Sequence, residues 1–289
     1  MPTTTFPESE PIFSNSINQP LTTLPILDLD HPGAHDIGYR KRREQITTAA
    51  ITFHQSSSKS IPIVHYTPEE HKVWQHVFTE LLPLHKKYAS TIYKKGRKLL
   101  NLPKHQIPQL SEISTRLEQL NNFRLEPIHG LIDARIFLSK LAENTMLCTQ
   151  YIRHHSKPKF TPEPDIIHEV LGHLPLFTKN QLNRISSLLG QAAITATEQQ
   201  LIWLTRLYWY TIEYGLIKEH NQIKALGAGL LGGITDLTNA FSGNALLKPF
   251  NIQEVINTDF NYSFEQPVFF VIPSLEMLEK EVEEFVKRF

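Results

Sequence analysis

Between Thr161 and Phe177 the chain reads TPEPDIIHEVLGHLPLF, and this stretch restricts the local fold more tightly than any other. It sets His168 and His173 five residues apart, with Pro164 and Pro175 outside them and Gly172 before the second imidazole. Side chains share an α-helical face at i+3 or i+4. At i+5 the second side chain rotates off that face. Pro164 suits a first helical turn, and Asp165 suits the positive end of the helix dipole. Gly172 can take the left-handed conformation that stops a helix, and Pro175 prevents its resumption. The pattern therefore predicts a helix that ends at Gly172, with His173 just beyond it and turned back beside His168. Two imidazoles at a helix terminus need one carboxylate to complete a metal site.

The segment LTRLYWYTIEYG supplies a candidate, Glu213, in apolar and aromatic surroundings. On a helix over residues 198–218, Trp209, Tyr210 and Glu213 are expected on one face. A carboxylate buried there needs a cation, either a metal or a partner such as Arg206. His168, His173 and Glu213 would form a two-His, one-carboxylate set, which suits non-haem iron(II) with open coordination positions and equally suits catalytic zinc.

Lys plus Arg equals Asp plus Glu at 29 each, so no overall field recruits nucleic acid or an anionic membrane. The basic run Lys94–Lys98 reads as a solvated helix face. A single cysteine, Cys148, excludes an internal disulfide and a Cys-rich metal site, and its apolar neighbours make it a core residue. No apolar run approaches the roughly 18 residues of a membrane span. The N-terminus lacks a basic region followed by an apolar run, so it is not a Sec-type signal. Its Pro, Ser, Thr and Asn content predicts a disordered arm over residues 1–23, and a cytoplasmic protein is expected, an export signal of another type aside.

Helical periodicity dominates the 289 residues, with turn signals at Asp30–Gly33. Helices are expected over 40–53, 67–88 (capped by Thr67, with Pro83 kinking or dividing it), 90–102, and 111–120 with Ser111 and Ser114 as caps. Others follow over 135–141, around His168, and over 179–191, 198–218, 234–242 and 275–289. Short strands are expected over 123–128, 147–152 and 267–272. The fold class is mainly α, an α+β domain with a minor sheet, forming one catalytic domain over 24–289.

Several long motifs, in order, resemble the pterin-dependent aromatic amino acid hydroxylases. They are CTQYIRHHSKPKFTPEPDIIHEVLGHLPLF from Cys148, LYWYTIEYGLIK from Leu207 and IKALGAGLL from Ile223. Shorter matches are DHPG at Asp30, YRKRR at Tyr39, IPQL at Ile107 and FRLEPIHGLIDARIFL at Phe123. The wording is similar to the phenylalanine hydroxylase catalytic domain of animals.

The resemblance implies ring hydroxylation with ferrous iron, a tetrahydrobiopterin-like tetrahydropterin and molecular oxygen, the cofactors supplying the chemistry and the protein the positioning. His168, His173 and Glu213 would hold iron. Arg153 would clamp the substrate carboxylate, oriented by Asp165, and Thr161, Pro164, Trp209 and Gly229 would line the amino acid pocket. Gly130, Leu131, Ile132, Phe137, Glu169 and Tyr208 would meet the pterin. Four positions depart from the family's wording: Gly232 and Gly233 stand where relatives carry serines that support a ligand histidine, Leu147 where they carry His, and Ala134 where they carry Ser. Tyr262 falls in the segment that varies with substrate. Trp209 implies phenylalanine, with tryptophan as the alternative substrate. The partner expected is a small aromatic amino acid, with no nucleic acid, no membrane, and a monomer or weak dimer lacking an allosteric domain. Two readings of other classes are a zinc hydrolase using Glu169 as base and a non-catalytic protein that binds pterin or aromatic amino acids.

Overall fold

The computed structural model describes residues 27, 29–57, 59–262 and 265–289; the arm expected over 1–23 lies outside them. Four helices come first: α1 (Ile37–Gln55), α2 (Pro68–Tyr88), α3 (Thr91–Leu99) and α4 (Leu110–Asn121). Helix α2 follows its sequence signals closely. Thr67 and Glu70 form a reciprocal capping box, Pro68 occupies the first turn, and Lys86 and Lys87 close the negative end. Val73, Trp74, Val77, Phe78 and Leu81 make its buried stripe. Pro83 does not divide it, because it lies on the exposed face where the missing backbone bond is open to water. Ser111 and Ser114 do not cap α4; Gln109 precedes it without a side-chain bond. Ser114 is instead used across the fold, its Oγ accepting the Leu125 N–H at 3.1 Å.

Strand β1 (Arg124–Ile128) pairs in parallel with β2 (Thr145–Thr149), and α5 (Ala134–Ala142) crosses between them. This β2 begins and ends earlier than the expected 147–152, so Gln150 to Arg153 run on unpaired toward the site. After two short helical turns at 168–173 and 176–178 come α6 (Asn180–Thr195) and α7 (Glu198–Tyr208). The helix expected to reach Lys218 stops at Glu213 and gives way to a hairpin, β3 (Leu216–Glu219) and β4 (Gln222–Ala225). His220 and Asn221 take φ of 48° and 61°, the two left-handed positions of a tight hairpin turn, which outweigh the apolar helical pattern upstream. Gly227 to Gly233 fold largely as α8 (Ala228–Gly232), followed by α9 (Ile234–Ala240), β5 (Leu246–Pro249), α10 (Ile252–Ile256), β6 (Val268–Ile272) and α11 (Leu275–Val286).

The second sheet has the order β4-β3-β6-β5, antiparallel only at the hairpin. One dominant apolar core runs from Val73 to Phe285, and helices outweigh the two small sheets, as expected. Cys148 is fully buried in this core and its thiol is pushed well above its ordinary range by burial. Among the described residues no helix is long and apolar enough to cross a membrane.

Candidate active site

The His168 segment is helical in a form the sequence did not suggest. Asp165 caps it, its Oδ1 accepting the His168 N–H at 3.0 Å, and Pro164 lies outside rather than in the first turn. From His168 to His173 the backbone is a π-helix, with the Leu174 N–H donating to the Glu169 carbonyl at 3.1 Å. Closure from i to i+5 brings residues five apart over one another. The spacing is therefore met inside the helix, not past its end. Gly172 is not left-handed; among the described glycines only Gly243 has positive φ. Glycine is needed at 172 for close approach, since a Cβ there would stand 2.6 Å from the Ala228 carbonyl oxygen of α8. Pro175 then begins a 3₁₀ turn, Leu176–Thr178.

The same device recurs opposite. Trp209–Glu213 is a second π-helix, with the Tyr214 N–H donating to the Trp209 carbonyl at 2.7 Å. It turns Trp209 and Glu213 into a cavity, whereas Tyr210, expected on the same face, is fully buried and donates its hydroxyl to the Asp259 carbonyl. Arg206, the other candidate partner of Glu213, pairs with Asp259.

The two π-helices bring three donor atoms together. His168 Nε2 lies 3.0 Å from His173 Nε2, His173 Nε2 lies 3.0 Å from Glu213 Oε1, and His168 Nε2 lies 3.6 Å from Glu213 Oε2. Ligands at about 2.1 Å from one ion, set at right angles, are about 3.0 Å apart. The triad thus fits a cation between its members, and it is one of two groups among the described residues that could hold a metal. Burial draws the His168 imidazole down to about 4. Burial also opposes charge on His173 and Glu213, but each outweighs it for the other, so His173 is raised and Glu213 lowered. The Nδ1 of His173 has no partner, and no side chain at Gly232 or Gly233 reaches it. A Cβ at Gly232 would stand 3.1 Å from the His168 Cα, so the absence of a serine there brings α8 close to the π-helix.

The cavity has a volume of about 480 Å³. It is lined by Arg153, Thr161, Pro164, Trp209 and Gly229, by Gly130, Leu131, Ile132, Phe137, Glu169 and Tyr208, and by the triad itself. Leu147 and Tyr262 also line it, while Ala134 does not. Asp165 lies just behind, fully buried. It accepts the Arg153 Nε and NH2 groups at 2.9 and 2.7 Å and the Arg153 backbone N–H at 2.8 Å. Burial works to raise the Asp165 carboxyl, and Arg153 outweighs it and holds it below its ordinary value. The remaining guanidinium nitrogen, NH1, has only the Pro158 carbonyl at 3.4 Å and stays available.

Trp209 is clamped by stacking on Phe260 at 4.3 Å, by Tyr214 at 4.5 Å, and by donating Nε1–H to Gln266. Gly229 is glycine because a Cβ would stand 2.7 Å from the Tyr214 ring. Phe137 meets the Tyr208 ring edge-on at 5.5 Å. Sequence reasoning missed Thr149, Tyr214 and Gln266. Thr149 holds Glu169 through its N–H and hydroxyl at 3.1 and 3.2 Å, and burial pushes the Glu169 carboxyl up to about 7. No local pattern marks these residues: Thr149 and Gln266 act on partners twenty or more residues away, and Tyr214 packs on Trp209 through the π-helical turn rather than a helical spacing.

The sequence from residue 6 to 289 matches the family model described as biopterin-dependent aromatic amino acid hydroxylase. The chain is 40% identical to tyrosine 3-monooxygenase of Schistosoma mansoni, over 91% of this chain and 57% of that protein. It is 38% identical to phenylalanine-4-hydroxylase of Bos taurus, over 97% and 62%, and 38% identical to tryptophan 5-hydroxylase of Xenopus laevis, over 90% and 55%. It thus spans 55% to 62% of the length of these curated relatives. Among solved structures, the apo phenylalanine hydroxylase of Colwellia psychrerythraea 34H aligns with a TM-score of 0.73 and 29% identity, covering 78% of this chain and 90% of that one.

Proposed function

We propose that this chain, which belongs to the biopterin-dependent aromatic amino acid hydroxylase family, hydroxylates the ring of phenylalanine to give tyrosine. The observation that carries this reading is the meeting of the His168, His173 and Glu213 donors in the wall of one cavity. The Arg153 guanidinium and the Trp209 indole line the same cavity. Ferrous iron held by the triad, together with a reduced pterin, supplies the activation of molecular oxygen.

The protein's own residues do the rest. Arg153 takes the substrate carboxylate with NH1 while Asp165 holds its other two nitrogens, so the clamp is oriented before substrate arrives. Trp209 and Pro164 bracket the substrate ring, and the fixed indole narrows the space for a second fused ring. Phe137 and the Gly130–Ile132 loop cover the flat pterin, and Glu169, fixed through Oε1 by Thr149, holds a proton near neutral pH at its other oxygen. The apolar walls keep water from the triad.

The test is turnover of the purified chain with Fe(II), tetrahydropterin and oxygen on phenylalanine, tyrosine and tryptophan separately. Tyrosine formed fastest from phenylalanine is the expected result. Faster hydroxylation of either other amino acid overturns the substrate, and no ring hydroxylation of any, with iron bound, overturns the activity.

A further inference from the structure

Asp36, His154 and His155 form the other cluster of metal-binding side chains among the described residues, their ligand atoms all within 4.8 Å of one another. None of them belongs to the triad or lines the cavity. Asp36 is the N-cap of α1. Its Oδ1 accepts the Tyr39 N–H at 2.9 Å, which leaves Oδ2 to face His154 Nε2 at 3.2 Å. Metal bonds of about 2.1 Å at tetrahedral angles separate two ligand atoms by about 3.4 Å, so this pair already stands near ligand spacing.

A hydrogen bond between Asp36 and His154 would account for that distance alone. Two further observations point beyond it. A histidine bound to metal through Nε2 must carry its proton on Nδ1 and needs an acceptor there. The Ser156 N–H donates to His154 Nδ1 at 3.3 Å, while Ser156 Oγ lies closer, at 2.7 Å, where it can accept from Nδ1 once that nitrogen carries the proton. His155 is exposed, and the structure gives it no hydrogen bond or ion pair, only its ring 4.2 Å from that of His154. It can swing to complete the set without breaking anything. The loop beneath is firm. The Tyr39 ring meets His154 edge-on at 5.0 Å, and the Tyr39 hydroxyl donates to the Ile152 carbonyl at 3.0 Å.

We propose that Asp36, His154 and His155 form a second metal site, apart from the triad, that takes a borderline divalent cation such as Zn²⁺, with water in the remaining position. Two imidazoles and one carboxylate are the donor types such a cation prefers, and the exposed side through His155 gives it entry. On binding, the His154 proton moves from Nε2 to Nδ1, where the Ser156 hydroxyl accepts it in place of the longer contact from the Ser156 N–H.

The test is calorimetric titration of the chelator-stripped chain with Zn²⁺. The wild type is expected to bind two equivalents. His155→Ala should keep only the triad equivalent, and Glu213→Ala only the other. Ser156→Ala should weaken the second site by roughly 10- to 100-fold, the usual cost of losing an orienting partner. His105→Ala, at an exposed histidine elsewhere, should leave both sites unchanged. The proposal is overturned if His155→Ala binds Zn²⁺ as the wild type does, or if the wild type binds a single equivalent that Glu213→Ala abolishes. It is equally overturned if Ser156→Ala leaves the second affinity unchanged, because that removes the orienting role that separates a built site from a chance cluster.

Discussion

Replacing Gly172 by alanine tests the packing that shapes the triad. The added Cβ would stand 2.6 Å from the Ala228 carbonyl oxygen, which is 0.8 Å inside an ordinary 3.4 Å contact. That oxygen belongs to the backbone and cannot rotate away, so relief requires the π-helix and α8 to part by most of that distance. Metal–ligand distances hold within about 0.2 Å, so His168 and His173, on either side of the strained position, move by several times what a bound ion tolerates. Stability responds less. Overpacking costs about 1–3 kcal/mol, and alanine returns up to about 1 kcal/mol through its better helical propensity. The net loss of about 0–3 kcal/mol corresponds to a fall of at most roughly 12 °C in Tm for a chain of this size. Iron affinity, measured by competition with a chelator, should fall by roughly 10- to 100-fold, the scale seen when a ligand's support is lost. Gly232→Ala is the graded control: its Cβ comes to 3.1 Å from the His168 Cα, only 0.3 Å inside the same limit, and its effect should be smaller. Wild-type metal affinity in Gly172→Ala, at an unchanged Tm, would refute the reasoning.

Asp165→Asn removes the charge that orients Arg153 and leaves a buried guanidinium underpaired, a change expected to destabilise the chain by roughly 3 kcal/mol or more. Steady-state kinetics should show the KM for the amino acid rising more than kcat falls; an unchanged KM would contradict the clamp. Trp209→Phe shrinks an aromatic wall of the cavity and removes the Nε1–H donated to Gln266, and should raise the ratio of tryptophan to phenylalanine turnover by roughly 10-fold or more. His85 gives a pH signature away from the triad. Burial draws its imidazole down to about 3, against a gain from its N–H to the Leu231 carbonyl at 2.8 Å, so the folded chain holds it neutral. A depressed histidine contributes stability that is full above its ordinary value of 6.5 and is lost as the pH falls toward 3. Urea unfolding of wild type and His85→Gln should therefore show the wild-type advantage shrinking by about 2 kcal/mol between pH 7.5 and 5; a constant difference would count against it.

The cap of α2 was legible in the sequence: Thr67, Pro68 and Glu70 act where their pattern places them, because each bond is local, whereas Ser111 and Ser114 do not cap α4. The His168, His173 and Glu213 set was legible as residue types, but its geometry was not. A π-helix and a helix ending at Gly172 make the same demands on spacing, and only the Ala228 carbonyl, over fifty residues away in the chain, explains why position 172 lacks a side chain. The hairpin after Glu213 escaped for a related reason. Leu216 and Ile217 continue the apolar pattern of the helix, and the turn depends on His220 and Asn221 accepting positive φ. Thr149, Tyr214 and Gln266 had no local signature, since their effect lies entirely in what they hold in place.

One carboxylate joins two functions that sequence motifs treat as separate. Asp165 takes three hydrogen bonds from Arg153 and a fourth from the backbone N–H of His168. A carboxylate bound by the guanidinium would therefore pull, through a single side chain, on the first residue of the turn that carries His168 and His173. Linkage makes the effect mutual: by whatever factor the amino acid alters the grip on the metal, the metal alters the grip on the amino acid. The energetic size of that coupling is the difference between amino acid affinities measured with and without the ion.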